Sequence, residues 1–390
     1  MKNFTLCNPT KIYFGKGQIA SLSEALGNYK NILITYGKGS IKQNGIYDQV
    51  IAQLKGRIFT EFGGIEANPT YETLMQAVEI VRTKKIDFIL SVGGGSVLDG
   101  TKFIAAAVNY AGDPWEILQN SVFSANHIPL KNALPFGCIL TLPGTGSEMN
   151  SGSVISRKTT GDKLAFVDPV VYPKFSILDP TTTYSLPLNQ TCNGIVDAFI
   201  HVIEQYLTYP VNAPLQDRLA EGILLTFIEE APKVLQNPHD YDARANIMWC
   251  ATLALNGYLS AGVPEDWTSH IIGHELTAKY GLDHAQTLAV VLPSVLRIKK
   301  QQKKAKLLQY ASRVWQINDG NDDHKIEKAI IKTEEFFRSL HKKIKLSEYG
   351  IGTDAVEAVI TKLHQHGFTK LGEHQDITLE VSAEILRMSL

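Results

Sequence analysis

The sequence predicts an α/β domain followed by an all-helical domain, and three observations carry that expectation. Residues 1 to about 184 alternate short β-branched runs with amphipathic helical runs. Glycine-rich segments follow three of the strand-like runs. After Asp179-Pro180-Thr181-Thr182-Thr183 the composition shifts, and from Pro187 to Leu390 helical periodicity dominates with little strand signal. The expected domains are residues 1–184 and 185–390.

In the first domain, Asn31–Tyr36 reads as a strand that ends at Gly37-Lys38-Gly39-Ser40, and Ile58–Glu61 as a weaker strand. Tyr71–Lys84 has helical spacing. Asp87–Val92 is a strand closed by Gly93-Gly94-Gly95-Ser96, with a helix from Val97 to about Tyr110. Cys138–Thr141 is a strand before Pro143-Gly144-Thr145-Gly146-Ser147-Glu148. Strands alternating with helices imply a parallel sheet covered on its faces. In the second domain, helices are expected over Leu215–Val234, Ala243–Leu259, Ile326–Leu340, Thr353–His364 and Thr378–Leu390.

The 390 residues are 44% hydrophobic and 20% charged, with a formal net charge of −1. Without a basic excess, nucleic acid and anionic membrane are not expected partners. No apolar run reaches membrane-spanning length and the N-terminus does not resemble a signal peptide, so a cytoplasmic protein is expected. Cys7, Cys138, Cys192 and Cys250 lie far apart without a CxxC pair, which suits reduced thiols. The run Lys299–Lys306 reads as a solvated helix face.

A glycine-rich loop between a strand and a helix N-terminus cradles phosphate, because the backbone can approach closely and free N–H groups face the anion. Gly93, Gly94, Gly95 and Ser96 have that context, following the third expected strand. Asp99, three residues after Ser96, is placed as in a capping box with Asp for Glu. Gly144-Thr145-Gly146-Ser147 offers a second, hydroxyl-rich loop. Two such loops point to a dinucleotide or a phosphorylated ligand.

Two further segments carry metal-ligand spacing. In the run GIVDAFIHVIEQYL, residues 195–207 are apolar nearly all round, so the helix is expected to be buried. Asp197 and His201, at i and i+4, project from one side of it. A buried carboxylate needs a partner; the two can bond each other, or hold an ion. The stretch Glu265–Thr287 holds His270, His274 and His284, three of the chain's eleven histidines. On one unbroken helix His270 and His284 would lie about 21 Å apart. Gly281 suggests a helix stop, and Asp283 a cap for a new helix that returns His284 towards the site. Spacing alone leaves open whether His270 or His274 binds the ion.

The motifs GGGSVLDGTK, TLPGTGSE, GIVDAFIHVIE and HIIGHELTAKYGLDHAQTLAVVLP, in that order, resemble those of the iron-containing (group III) alcohol dehydrogenases, in particular the NADPH-dependent butanol dehydrogenase and aldehyde reductase branch. The resemblance spans essentially the whole chain. It implies a Rossmann-like N-terminal domain and a helical C-terminal domain of the dehydroquinate-synthase-like type. It implies a divalent metal, Fe²⁺ or Zn²⁺, held by Asp197, His201, His270 and His284, with His274 beside it near the nicotinamide. It places Gly93, Gly94, Gly95, Ser96 and Asp99 on the cofactor pyrophosphate, and Thr141, Thr145 and Ser147 in a second cofactor loop. Lys163 falls in a segment able to reach the cofactor. A homodimer is expected.

One carboxylate and three imidazoles suit Fe²⁺ or Zn²⁺ as a Lewis acid on a substrate oxygen. His274 is then a proton relay to the alkoxide, or lines the pocket. Trp267 walls the substrate pocket or belongs to the core. The expected substrates are simple aliphatic aldehydes and alcohols. A glycerol or polyol dehydrogenase of the same fold, a dehydroquinate-synthase-like lyase and a non-catalytic nucleotide-binding protein are the rival readings. The lyase needs several basic residues for its charged substrate, and the site stretches offer few.

The segment after the first expected strand selects between cofactors. An NAD site places Asp or Glu at a strand end to bond the ribose 2′-hydroxyl. Here Gly37, Lys38, Gly39 and Ser40 follow, and no acid appears before Asp48. The glycines leave room for a 2′-phosphate, Ser40 donates a hydrogen bond and Lys38 adds positive charge. NADP(H) is therefore the expected cofactor.

Overall fold

The computed structural model describes residues 1–119 and 129–390. Among the described residues eight strands lie in the first half of the chain: β1 (Lys11–Phe14), β2 (Asn31–Tyr36), β3 (Ile58–Phe62), β4 (Phe88–Gly94), β5 (Phe136–Leu142), β6 (Gly152–Arg157), β7 (Asp162–Val167) and β8 (Phe175–Leu178). The helices among them are α1 (Leu22–Ala25), α2 (Ile46–Gln53), α3 (Tyr71–Lys84), α4 (Gly95–Ala107) and α5 (Glu116–Gln119). Then come α6 (Leu188–Tyr206), α7 (Pro214–Gln236), α8 (Tyr241–Ala254), α9 (Thr268–Tyr280), α10 (His284–Ile298), α11 (Lys304–Arg313), α12 (Asp322–Ser339), α13 (Asp354–Gln365) and α14 (Leu379–Met388). A two-residue pairing, β9 (Lys370–Leu371) with β10 (Ile377–Thr378), is the strand content described after α8.

The chain forms two compact units. One comprises Cys7–Pro187 and Asn237–Thr252; the other comprises Met1–Leu6, Leu188–Gln236 and Leu253–Leu390.

The first unit is built on a six-stranded parallel sheet in the order β1-β8-β5-β4-β2-β3. Both faces are covered, and the strand sequences show why. Ile32 and Ile34 of β2 join Val50 and Leu54 of the α2 side, whereas Leu33 between them joins Leu74, Val78 and Phe103 of α3 and α4. Phe88 and Leu90 likewise face one core and Ile89 the other. Successive side chains point to opposite faces of a strand, so a continuous apolar run fills two cores at once.

The order of the sheet fixes where a ligand sits. From β2 the chain adds β3 outward, then returns to place β4 on the other side of β2. This is a topological switch point, and ligands of open α/β sheets bind at the carboxyl ends of the strands that flank it. The segments after β2, β4 and β5 all emerge there, because the strands are parallel.

The structure adds strands that the sequence reading did not anticipate: β1, β8 and the antiparallel β6–β7 pair. β1 and β8 have four residues each, too few for a periodic signal, and β6 and β7 alternate with polar residues. The Gly93–Ser96 loop therefore follows the fourth strand, not the third. Gly93 and Gly94 lie within β4, and Gly95 already opens α4.

In the helical unit α6 is buried nearly all round from Thr191 to Tyr206, as its apolar sequence requires. A second core gathers Ile272 and Leu276 of α9, Val291 and Val295 of α10, Val359 and Leu363 of α13, and Ile385 and Leu386 of α14. Thr378, expected inside the last helix, is its N-cap and accepts from the Val381 amide.

Candidate active site

Helix α6 carries Asp197 and His201 one turn apart, 6% and 4% exposed. α9 ends where the sequence suggested: Gly281 takes φ 68°, and its amide donates to Thr277 O at 2.9 Å. Asp283 then caps α10, with Gln286 Oε1 accepting from the Asp283 amide at 2.9 Å. His284 is thus the first residue of a new helix.

These elements converge on one atom. Nε2 of His201, of His270 and of His284 each lie 3.7 Å from Asp197 Oδ1. Asp197, His201 and His270 offer ligand atoms that all lie within 4.8 Å of one another. His284 does not join that mutually close trio, so it is the outlying member, reaching Asp197 from the N-terminus of α10. The ligand atoms around a four-coordinate ion held at roughly 2.1 Å are about 3.4 Å apart, so the 3.7 Å spacing fits such an ion. Nε2 of His270 is buried and has no hydrogen-bond partner among the described residues, as a metal-directed nitrogen would.

His274 stands apart. It is half-buried, and its ring lies 5.0 Å from that of His284 and 6.5 Å from that of His270. Of the His270/His274 pair, it is His270 that joins Asp197 and His201. Trp267 takes φ 62°, rare for a large side chain. Its indole meets His270 edge-on at 5.3 Å. Leu282 packs partly into the helical core.

Glu204 did not figure among the expected site residues. It is 2% exposed; one oxygen pairs with His270 Nδ1, and the other accepts from the Ser269 amide at 2.6 Å. Burial pushes the His270 imidazole down, but the Glu204 and Asp197 carboxylates outweigh it and hold the pKa up at about 9. A signal was present: Glu204 lies three residues after His201 and seven after Asp197, on the same face of α6.

In the sheet unit, the two glycine-rich loops are packed together. A Cβ on Gly93 would lie 2.5 Å from Val97 Cγ2, and one on Gly94 2.8 Å from Leu142 Cβ. One on Gly95 would lie 2.4 Å from Thr145 Oγ1. Each glycine is a site of close approach. The capping box expected for Asp99 does not form: α4 has no side-chain cap. Asp99 instead accepts from Ser147 Oγ at 2.7 Å and from the Val154 amide at 3.1 Å, which ties α4 to the second loop. Desolvation raises its pKa against the pull of Lys102 and the Ser147 hydroxyl. Thr145 Oγ1 accepts from the Ser147 amide at 3.2 Å. Ser96, in the first turn of α4, and Thr141, near the end of β5, are half-buried. Lys163 is buried, donates to Asn68 Oδ1 at 2.9 Å and lies near enough to Asp99 to lower its pKa.

After β2, Gly39 takes φ 96°, which favours glycine, while Lys38 and Ser40 are exposed. A Cβ on Gly37 would make only ordinary contacts, 3.5 Å from Ile65 O. An acid does lie nearby in space. Glu61 of β3 accepts from Tyr36 OH at 2.9 Å and from Lys42 Nζ at 2.5 Å, and pairs with Tyr47 OH. Scanning forward from β2 along the sequence could not find it, because β3 is brought alongside only by sheet pairing.

The profile described as iron-containing alcohol dehydrogenase matches residues 9–180, and that of the C-terminal region of the Fe-containing alcohol dehydrogenase family matches residues 191–389. The chain is 58% identical over 387 residues to the NADPH-dependent aldehyde reductase YqhD of Escherichia coli, covering 99% of each chain. The crystal structure of E. coli YqhD superposes with a TM-score of 0.97 at 56% identity, covering 100% of this chain and 99% of that one. A probable NADH-dependent butanol dehydrogenase 1 of Bacillus subtilis is 43% identical over the full length of both.

Proposed function

The chain belongs to the iron-containing alcohol dehydrogenase family, and on that premise we propose that it is a metal-dependent, NADP(H)-linked aldehyde reductase and alcohol dehydrogenase acting on simple aliphatic substrates. The observation that carries the proposal is the convergence of His201, His270 and His284 on Asp197 Oδ1, each at 3.7 Å. Residues 1–184 bind the dinucleotide and residues 185–390 the metal.

Asp197, His201, His270 and His284 would hold Fe²⁺ or Zn²⁺. When bound, the ion supplies Lewis-acid polarisation of the substrate oxygen and the cofactor supplies the hydride. Gly93, Gly94 and Gly95 let the backbone close on the pyrophosphate, with Ser96 at the start of α4. Asp99, Thr141, Thr145, Ser147 and Lys163 shape the loops around it. Gly37, Lys38, Gly39 and Ser40 receive the 2′-phosphate. His274, beside His284 and outside the Asp197 cluster, passes a proton to the product alkoxide. Trp267 forms an apolar wall.

A homodimer in the cytoplasm completes the reading. Among the described residues the outer strand β1 pairs only with β8. Beside it Phe14 and Trp249, 39% and 37% exposed, stack edge-on at 5.7 Å. A second copy would cover that edge. None of the four cysteines is described in a disulfide, which suits a reducing compartment.

The test is NADPH oxidation with butanal by protein of measured metal content. Turnover should vanish on chelation and return with Fe²⁺ or Zn²⁺. Failure to reduce any simple aldehyde with the metal site filled would overturn the proposal.

A further inference from the structure

Glu204, a carboxylate outside the histidine cluster, touches His270 directly. It lies on α6 two turns after Asp197, and reaches a histidine 66 positions later in the chain. Its two oxygens have separate partners: His270 Nδ1 and the Ser269 amide. Both partners belong to the first turn of α9, so Glu204 fixes where that helix begins as well as how the ring is turned.

The surroundings hold Glu204 in turn. Its carbonyl accepts from the Asp266 amide at 2.9 Å. Asp266 accepts from the Thr268 amide at 3.1 Å and pairs with Lys303 at 2.8 Å. Lys303, 1% exposed, also pairs with Glu373 at 2.7 Å and donates to Leu207 O at 2.7 Å. The first turn of α9 is thereby locked to the end of α6 by groups that are themselves buried and bonded.

An ionised carboxylate only accepts hydrogen bonds. Paired with Glu204, His270 must carry its proton on Nδ1, so the lone pair of the neutral ring is on Nε2, 3.7 Å from Asp197 Oδ1. The outer partner of a ligating histidine sets its tautomer and ring orientation and raises its basicity. We infer that Glu204 is a positioning residue of the metal site, which selects the His270 tautomer and aims Nε2 at the ion. The inference rests on the proposed metal reading and adds a residue that acts only through His270.

The discriminating variant is Glu204→Gln. Glutamine has the same size but one acceptor oxygen. If that oxygen serves the Ser269 amide, the –NH₂ faces His270 Nδ1 and drives the proton to Nε2. If it serves His270, two donors meet at Ser269. Neither arrangement reproduces the carboxylate.

The experiment measures Zn²⁺ affinity of wild type and variant by chelator competition, with the melting temperature of each metal-free protein beside it. Glu204→Gln should hold Zn²⁺ about 10–100-fold more weakly, with KM for NADPH close to wild type and any fall in metal-free melting too small to account for the lost affinity. Glu204→Asp, which keeps two acceptors but draws them back, should fall between. In the Zn²⁺-loaded wild type, nitrogen-resolved NMR should find the His270 proton on Nδ1. That measurement stands even where a variant does not fold. Equal Zn²⁺ affinities, a loss explained by lower metal-free stability, or a proton on Nε2 would each overturn the inference. A wild type that takes up no Zn²⁺ would instead overturn the metal reading beneath it.

Discussion

Gly95 and Thr145 approach so closely that a Cβ on the glycine would lie 2.4 Å from Thr145 Oγ1. The start of α4 and the loop after β5 are therefore packed as one surface. Gly95→Ala must push the loops apart, at a cost of roughly 1–3 kcal/mol for overpacking. KM for NADPH should rise by about tenfold or more, while the metal content stays that of wild type. An unchanged KM would mean that this surface does not hold the cofactor.

The two neighbouring histidines of α9 should behave differently. His270→Ala should remove metal and activity together, because His270 Nε2 faces Asp197. His274→Ala should keep the metal and slow turnover by about 10²–10⁴-fold, the range for lost proton transfer. Loss of metal from the His274 variant, with retention in the other, would reverse the assignment.

Cofactor choice should depend on the balance between Lys42 and Glu61. Lys42 pairs with Glu61 close to the segment after β2. Lys42→Met would leave the carboxylate uncompensated and disfavour a 2′-phosphate. Gly37→Asp, whose Cβ would make only ordinary contacts, places a new acid there. Wild type should favour NADPH over NADH by about tenfold or more in kcat/KM, the worth of one charge-assisted bond. Both variants should shift the ratio towards NADH. Equal efficiencies in the wild type would remove this loop as the reader of the 2′ position.

Substrate preference should follow the apolar wall. With Trp267 against His270 and few hydrogen-bonding groups offered by the site stretches, butanol should exceed glycerol in kcat/KM. A glycerol preference would return the polyol reading.

Lys102 makes a pH prediction. It is fully buried, and its ammonium donates to Asn150 Oδ1 at 2.8 Å and Gly152 O at 2.7 Å. Burial pushes its pKa from 10.5 down to about 8, although Asp99 and Glu148 pull it up. The folded state thus releases this proton before the unfolded state does. The contribution is fully present above 10.5 and lost as pH falls through about 8. Wild type should gain stability relative to Lys102→Met between those pH values, by on the order of 3 kcal/mol. A difference in unfolding free energy that stays constant with pH would contradict it.

Local chemistry was legible in the chain itself. The apolar run around Asp197 and His201 dictates a buried helix, and their spacing puts both on one side. Gly281 and Asp283 break the following helix, because one tolerates positive φ and the other caps. Those devices act within a few residues, where backbone geometry leaves few choices. Pairings between distant segments were not legible. Asp99 looked like a capping partner for Ser96, but Ser147 and the Val154 amide, 48 and 55 positions on, take its oxygens. Glu204 reaches His270 across 66 positions, and Glu61 comes beside Tyr36 only because β3 pairs with β2. The sequence by itself determined which side chains could serve as ligands, and that the helix carrying His270 stops at Gly281 before a new one carries His284. Only the tertiary structure decided which partner each buried charge would find, because that choice depends on which segments packing brings within hydrogen-bonding reach.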